Sequence, residues 1–225
     1  RPVLLYSYRE TRSSRHIKEL LTGFSGYLQT DGYEAYETAI SGNDGIIHVG
    51  CMAHARRKFH EAAMATKKSA SAQEAMNRIR KLYTLEESLR SKDLLPEQFL
   101  EERKSQAEPV LDQFKEWLEK RSPQVPPSLL LGKAIAYTLK EWPKLVRYLE
   151  SPYLTPDNNV AEQAIRPFVV GRKNWLFSGS PKGAESSCAM YSLIETAKHN
   201  GANPNDYLRK VFEMVPSMRT EEDWR

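Results

Sequence analysis

From Met52 to about Glu150 the chain shows helical periodicity and no strand signal, and this long stretch constrains the fold more than any other feature. Apolar residues recur at helical spacing in four segments, near residues 52–67, 72–91, 96–121 and 127–149. Breaks are expected at Pro96, from Pro123 to Pro127, and at Pro143. Pro109 is expected to kink or split the third segment, because an internal proline removes a backbone donor and crowds the preceding turn. From Glu86 to Glu119 both charge signs mix, as on solvated helix faces.

The flanks read differently. Pro2 to Tyr8 alternates loosely and predicts a strand. Ser13 or Ser14 can cap a helix to about Leu21, stopped by Gly23. Gly26 to Asp31 predicts a buried strand, Tyr33 to Ala39 a helix, and Gly45 to Gly50 another strand. This alternation predicts an α/β class for the core, with the helical stretch inserted into it. Downstream, Thr155-Pro156 predicts a helix start, and that helix should run to Arg166 and stop at Pro167. Val169 to Ser178 reads as extended, Ala184 to His199 as a helix, and Asn203-Pro204 as the start of a last helix through Met214. The expected organisation is a first part of the core at 1–51, an α-helical insertion at 52–150, a second part of the core at 151–200 and a helical segment at 201–225.

Composition narrows the class. The chain has 225 residues, of which 40% are hydrophobic and 28% charged, enough for a core under a heavily solvated surface. No apolar run can span a bilayer, and no signal peptide is visible in the first residues. The first residue is not Met, so a start upstream of Arg1 is expected. Cys51 and Cys188 make no disulfide framework, which predicts a reducing, cytoplasmic home. A net charge of +4 is a weak hint of nucleic acid. The basic clusters Arg56-Arg57-Lys58 and Arg172-Lys173 are a stronger one.

Two carboxylates stand out. At 100° per residue, Asn158, Asn159, Glu162, Gln163 and Arg166 share one half of their predicted helix. Val160, Ala161, Ala164 and Ile165 share the other. By pattern alone this is an amphipathic surface helix with a Glu162–Arg166 pair one turn apart. Yet two adjacent asparagines are poor helix formers and call for another reason. Asp31 ends a predicted strand, where open α/β sheets gather ligands. Taken alone, it equally begins an ordinary Asp-Gly turn.

Four stretches together resemble the insertion-sequence-66 transposases of bacteria. They are Thr30-Asp-Gly-Tyr-Glu-Ala-Tyr36, Gly50-Cys-Met-Ala-His-Ala-Arg-Arg-Lys-Phe59, Asp157-Asn-Asn-Val-Ala-Glu-Gln-Ala-Ile-Arg-Pro167 and Gly171-Arg-Lys-Asn-Trp-Leu-Phe-Ser-Gly-Ser180. The resemblance extends to Asn203-Pro-Asn-Asp-Tyr-Leu208. It implies a ribonuclease H-like core, a mixed sheet flanked by helices, with a large all-α insertion. It also implies an Asp-Asp-Glu triad in which Asp31 is the second carboxylate and Glu162 the third. The first should lie on a strand before Pro2, so this chain alone is expected to bind metal weakly and not to catalyse.

The implied activity is DNA strand cleavage and strand transfer at insertion-sequence ends. Two Mg²⁺ or Mn²⁺ ions about 3.5–4 Å apart would activate the attacking oxygen and stabilise the leaving one. Such hard cations prefer carboxylate oxygen. DNA ends and target DNA are the implied partners, with assembly into a homo-oligomer on DNA, possible helper proteins of the element, no membrane and association with the bacterial nucleoid. Arg56, Arg57, Lys58, Arg166, Arg172 and Lys173 are the expected DNA contacts, against the plainer reading of solvated faces. Trp175 could stack on a base but fits a core position better. His54, Asn158 and Asn159 are expected to support the site. A Cys51-x-x-His54 pair also follows the second aspartate in several related transposase groups. A zinc reading needs two more ligands, and Cys188 and His199 lack zinc-finger spacing. Core packing for Cys51, and active-site lining or a helix-start hydrogen bond for His54, are preferred. Two alternatives remain: a metal-dependent nuclease or resolvase that cuts without joining, and an inactive DNA-binding or assembly fragment.

Overall fold

In the computed structural model, residues 2–65, 69–175, 178–220 and 222 are described. The chain forms two compact units. One is continuous, Ser13–Asn159; the other joins Arg1–Arg12 to Val160–Arg225.

The continuous unit begins with α1 (Ser14–Leu20), capped by Ser13, then β1 (Gly26–Gln29), α2 (Glu34–Ile40) and β2 (Ile46–Val49). β1 and β2 pair in parallel, with Gly26 opposite Ile46 and Gln29 opposite Val49. Four helices follow: α3 (Met52–Ala65), α4 (Ala70–Arg90), α5 (Pro96–Arg121) and α6 (Leu130–Leu145). Each buries a stripe at three- and four-residue spacing, such as Met52, Ala55, Phe59 and Ala62 on α3, and Ala134, Ile135, Thr138, Trp142 and Leu145 on α6. The stripes meet around Phe114, whose ring lies 6.3 Å from Phe59 and 5.7 Å from Trp142.

Prolines act more mildly than expected. α5 runs through Pro109 and α6 through Pro143 without a break. Pro109 and Ser105, the residue whose carbonyl it cannot bond, are both exposed, so water can take that carbonyl. Buried residues on either side, from Phe99 to Leu118, keep the helix on the core.

One buried charge ties the bundle to the segment that leaves it. Arg103 on α5 is 1% exposed. Its Nη2 donates to Glu86 Oε1 of α4 at 2.7 Å and to the Leu154 carbonyl at 3.0 Å. Its Nη1 donates to the carbonyls of Tyr148 and Ser151 at 2.8 and 2.9 Å. Burial pulls the Arg103 pKa down, against the pull of Glu86.

The second unit contains α7 (Asn159–Ala164, which starts at the boundary), α8 (Arg166–Trp175), α9 (Pro181–His199) and α10 (Pro204–Met214). α9 is capped by Ser180 and α10 by Asn203. Residues 2–12 are irregular. The Leu4 and Tyr6 amides donate to the hydroxyls of Thr196 and Ser192 on α9, each at 2.9 Å. Two residues of extended chain and four of helix both span about 6 Å, so alternate amides meet hydroxyls one turn apart. Tyr6, Phe168 and Tyr191 pack together beside this contact.

The expected ribonuclease H-like mixed sheet is overturned. Among the described residues the sheet has two parallel strands of four residues each. Pro2–Tyr8 forms no ladder because α9 hydroxyls take its alternate amides. Residues 169–175, expected to be extended, lie in α8. Pro167 opens that helix in its first turn, where its missing N–H costs nothing, instead of ending the one before.

Arg103→Ala would leave Glu86 with Arg90 as its one remaining cation and take a donor from the carbonyls of Tyr148, Ser151 and Leu154. The expected loss is about 3–5 kcal/mol of stability, read from urea unfolding.

Candidate functional site

The carboxyl ends of β1 and β2 gather most of the residues singled out in the continuous unit. The Thr30 amide donates to the Val49 carbonyl at 3.1 Å, carrying the pairing one residue past the strand. Next comes Asp31, exposed, whose Oδ1 accepts from the Tyr33 amide at 3.1 Å. That is the turn role weighed from the Asp-Gly pair. Gly32 has φ +74°. A Cβ there would sit 2.9 Å from the Tyr137 hydroxyl and 3.8 Å from Glu141 Oε2, so the strand end lies close against α6.

Tyr137 links the parts. Lys58 Nζ of α3 lies 4.6 Å from its ring centre. Its hydroxyl pKa is pushed up to about 12, first by burial and then by the charges of Glu141, Cys51 and Asp31. Glu141 is buried and accepts from Lys144 Nζ at 3.0 Å, and Lys144 also pairs with Glu37 of α2. Behind Asp31, Thr30 Oγ1 and His48 Nε2 lie 2.8 Å apart, both buried.

Beyond β2, Cys51 is buried, which raises its thiol pKa against the opposing amides of Asn158, His54 and Ala53. It packs as expected from its sequence setting. α3 then starts, with Arg56 and Arg57 exposed and Lys58 half-buried. The segment before α7 closes the same end. Gln29 Nε2 donates to the Thr155 carbonyl at 2.7 Å, and the Met52 amide to the Pro156 carbonyl at 2.9 Å.

Thr155 does not cap a helix; its hydroxyl donates to the Asp157 carbonyl at 2.5 Å. Asp157 takes the capping role instead. It is buried, and its Oδ1 accepts from the Asn159 amide at 3.0 Å. Its Oδ2 accepts from Asn159 Nδ2 at 2.8 Å and from the Tyr83 hydroxyl at 2.6 Å. Burial and this bond raise the Tyr83 pKa far above its ordinary value. The sequence reading passed over Asp157, Tyr83, Tyr137 and Glu141. Only Asp157 carried a signal: an Asx residue two before a helix amide.

The continuous unit thus brings Asp31, His54, Lys58, Asn158 and Asn159 to its strand-end region. Glu162, half-buried on α7, and Arg166, exposed on α8, belong to the other unit. Since α7 ends at Ala164, Glu162 and Arg166 do not share one helix. The side chains of Arg172, Lys173 and Trp175 lie outside the described residues. Cys188 and His199, the only further zinc ligands considered, are also in the second unit. Among the described residues no three His, Cys, Asp or Glu side chains form a metal-ligand group. Asp31 supplies the hard oxygen that Mg²⁺ or Mn²⁺ prefers. The strand-end residues by themselves do not fit a two-ion centre.

The family model "Transposase IS66 family" matches residues 1–186, and "IS66 C-terminal element" matches residues 192–225. The chain belongs to the IS66 transposase family. Among its relatives in Sinorhizobium fredii (strain NBRC 101917 / NGR234), "Uncharacterized protein y4jD" is 32% identical over 97% of this chain and 43% of its own length. "Uncharacterized protein y4qI" is 33% identical over 95% of this chain and 40% of its own. "Uncharacterized protein y4hP" is 31% identical over 95% of this chain and 41% of its own. The chain therefore spans about four-tenths of the curated relatives it matches. No solved structure matches it. Among the described residues no helix is long and apolar enough to cross a membrane.

Two measurements check this geometry. Gly32→Ala forces a left-handed backbone and a close contact with Tyr137. It should cost about 1–2 kcal/mol for the backbone alone, and Tyr137→Phe should not restore that part. Burial lowers the His48 pKa, so the unfolded chain takes up a proton that the folded one resists. Stability should therefore fall as pH drops below about 6.5, and His48→Asn should flatten that slope in acid titrations of unfolding.

Proposed function

We propose that this chain is part of a transposase that cleaves DNA at insertion-sequence ends and joins the freed ends to target DNA. The observation that carries the reading is the family match over residues 1–186. It is supported by an exposed carboxylate, Asp31, beyond the ends of two parallel strands, in the same strand-end region as the start of a helix with exposed arginines. Asp31 and Glu162 are the carboxylates the reaction requires. In cleavage, a water oxygen attacks phosphorus, the P–O3′ bond breaks, and the departing oxygen takes a proton to leave a 3′-hydroxyl. In joining, that 3′-hydroxyl attacks a target phosphodiester and displaces its 3′ oxygen, so the number of phosphodiester bonds is conserved. Cationic side chains hold the backbone through these steps, and Arg56, Arg57, Lys58, Arg166, Arg172 and Lys173 are the proposed contacts. His54, Asn158 and Asn159 support the site. A Mg²⁺ or Mn²⁺ requirement belongs to the full-length protein, with ligands beyond those of the strand-end site. So do assembly of copies on DNA and any helper proteins.

A second reading, a DNA-binding or assembly element without chemistry, is favoured by the turn role of Asp31, whose Oδ1 accepts from the Tyr33 amide. Assays of the full-length protein on labelled terminal DNA separate the two. Asp31→Asn and Glu162→Gln should each abolish cleavage and leave DNA binding intact; normal cleavage by either variant removes that carboxylate from the reaction. Arg56→Ala and Arg57→Ala should weaken binding to any sequence and lower the salt slope by about one unit each. Failure of the unaltered protein to cut with added Mn²⁺ favours the second reading.

A further inference from the structure

The side chain of Tyr137 on α6 reaches from α3 to the residue that follows Asp31. Its hydroxyl lies 2.9 Å from where a Cβ on Gly32 would sit, a space left open because residue 32 has none. At the other end, Lys58 Nζ lies 4.6 Å from the ring centre. Burial first, then the charges of Glu141, Cys51 and Asp31, push the phenol pKa up to about 12, so it stays protonated and can donate. Two neighbouring carboxylates have a cation of their own, since Glu37 and Glu141 both pair with Lys144. Asp31 is exposed, and its Oδ1 accepts from the Tyr33 amide. Among the described residues no carboxylate pairs with Lys58 and no acceptor takes the Tyr137 proton. A half-buried ammonium over an aromatic ring is partly stripped of water and suits an anion.

We infer that Lys58 and Tyr137 together seat the scissile phosphate beside Asp31, the ammonium facing its charge and the phenol donating to a non-bridging oxygen. This deepens the proposed role of Asp31 and rests on it. A phosphate and a carboxylate repel each other at close range, so bringing DNA to Asp31 requires a cation that no carboxylate holds. Arg56 and Arg57, exposed on α3, can grip the backbone at any phosphate, whereas Lys58, half-buried over the Tyr137 ring, serves one. The seat gives residue 32 a second reason to be glycine: a side chain there would push the hydroxyl from its place.

The test is binding of terminal DNA by the full-length protein without divalent ions. The phosphate that the unaltered protein cuts is either native or replaced by an uncharged methylphosphonate. The replacement should weaken binding by the unaltered protein about 10-fold, as loss of one charge-assisted contact does. Lys58→Gln keeps most of the stem and should weaken binding to native DNA by a similar factor. It should then bind the two DNAs within about twofold of one another, because both changes remove the same contact. Tyr137→Phe removes one oxygen and keeps the ring under Lys58. It should slow single-turnover cleavage about 10-fold with an unchanged melting midpoint. A methylphosphonate that costs the unaltered protein no affinity would overturn the seat. So would equal losses on the two DNAs for Lys58→Gln, which would put its phosphate elsewhere, or normal cleavage by Tyr137→Phe. A melting midpoint of Tyr137→Phe that falls along with its rate would reduce the phenol to packing, and the seat fails. Asp31→Asn is the control for the reading beneath. If it is inactive while Lys58→Gln loses affinity equally on both DNAs, only the seat falls; if it cleaves normally, both fall.

Discussion

A guanidinium shut away from water has to find its hydrogen bonds within the protein, and Arg103 finds them at the exit of the helical bundle. Its partners are a carboxylate on α4 and the carbonyls of Tyr148, Ser151 and Leu154. Arg90 adds a second cation to Glu86, with Nε 2.7 Å away, and also donates to the Leu154 carbonyl. An apolar side chain at 103 could fill the space but could not specify where the chain leaves α6. The irregular segment 151–158, which holds Asp157, is thus located by a charge on α5 as much as by its own sequence.

That segment in turn supports the sheet. Two short parallel strands are marginal by themselves. Here Gly50 donates to the Lys144 carbonyl and Gln29 to the Thr155 carbonyl, from the strand ends to the bundle or its exit, while Arg147 at the exit donates back to the His48 carbonyl of β2. The expected hierarchy of an α/β core with a helical appendage is inverted in this unit. The helices hold the main hydrophobic core, and the strands lean on them.

Local pattern made the helices of residues 52–150 legible, because burial stripes at helical spacing leave their own periodicity. The caps at Ser13 and Asn203 were equally readable. What failed was the assignment of alternation to strands. Pro2–Tyr8 alternates, but whether alternate amides meet a neighbouring strand or hydroxyls on a helix depends on residues nearly two hundred positions away. Pro167 was misread as a stop because its effect depends on which side of a helix boundary it falls. At the candidate site, Asp31 was visible from its place after a strand. Tyr83, Tyr137 and Glu141 were not, since each looks like a routine position on a long helix until the tertiary fold supplies its partner. Asp157 was overlooked because Thr155-Pro156 offered a more conspicuous cap.

The hydroxyl pair on α9 has a consequence for biosynthesis. The Leu4 amide and the Thr196 hydroxyl are separated by 192 residues, and the continuous unit lies entirely between them. At about 5–20 residues per second, the ribosome delivers Thr196 roughly 10–40 s after Leu4. Bundle helices form and dock far faster than that. The continuous unit is therefore complete while residues 2–12 still wait for their partner. The second unit folds last, by joining two ends that the already formed domain separates in sequence.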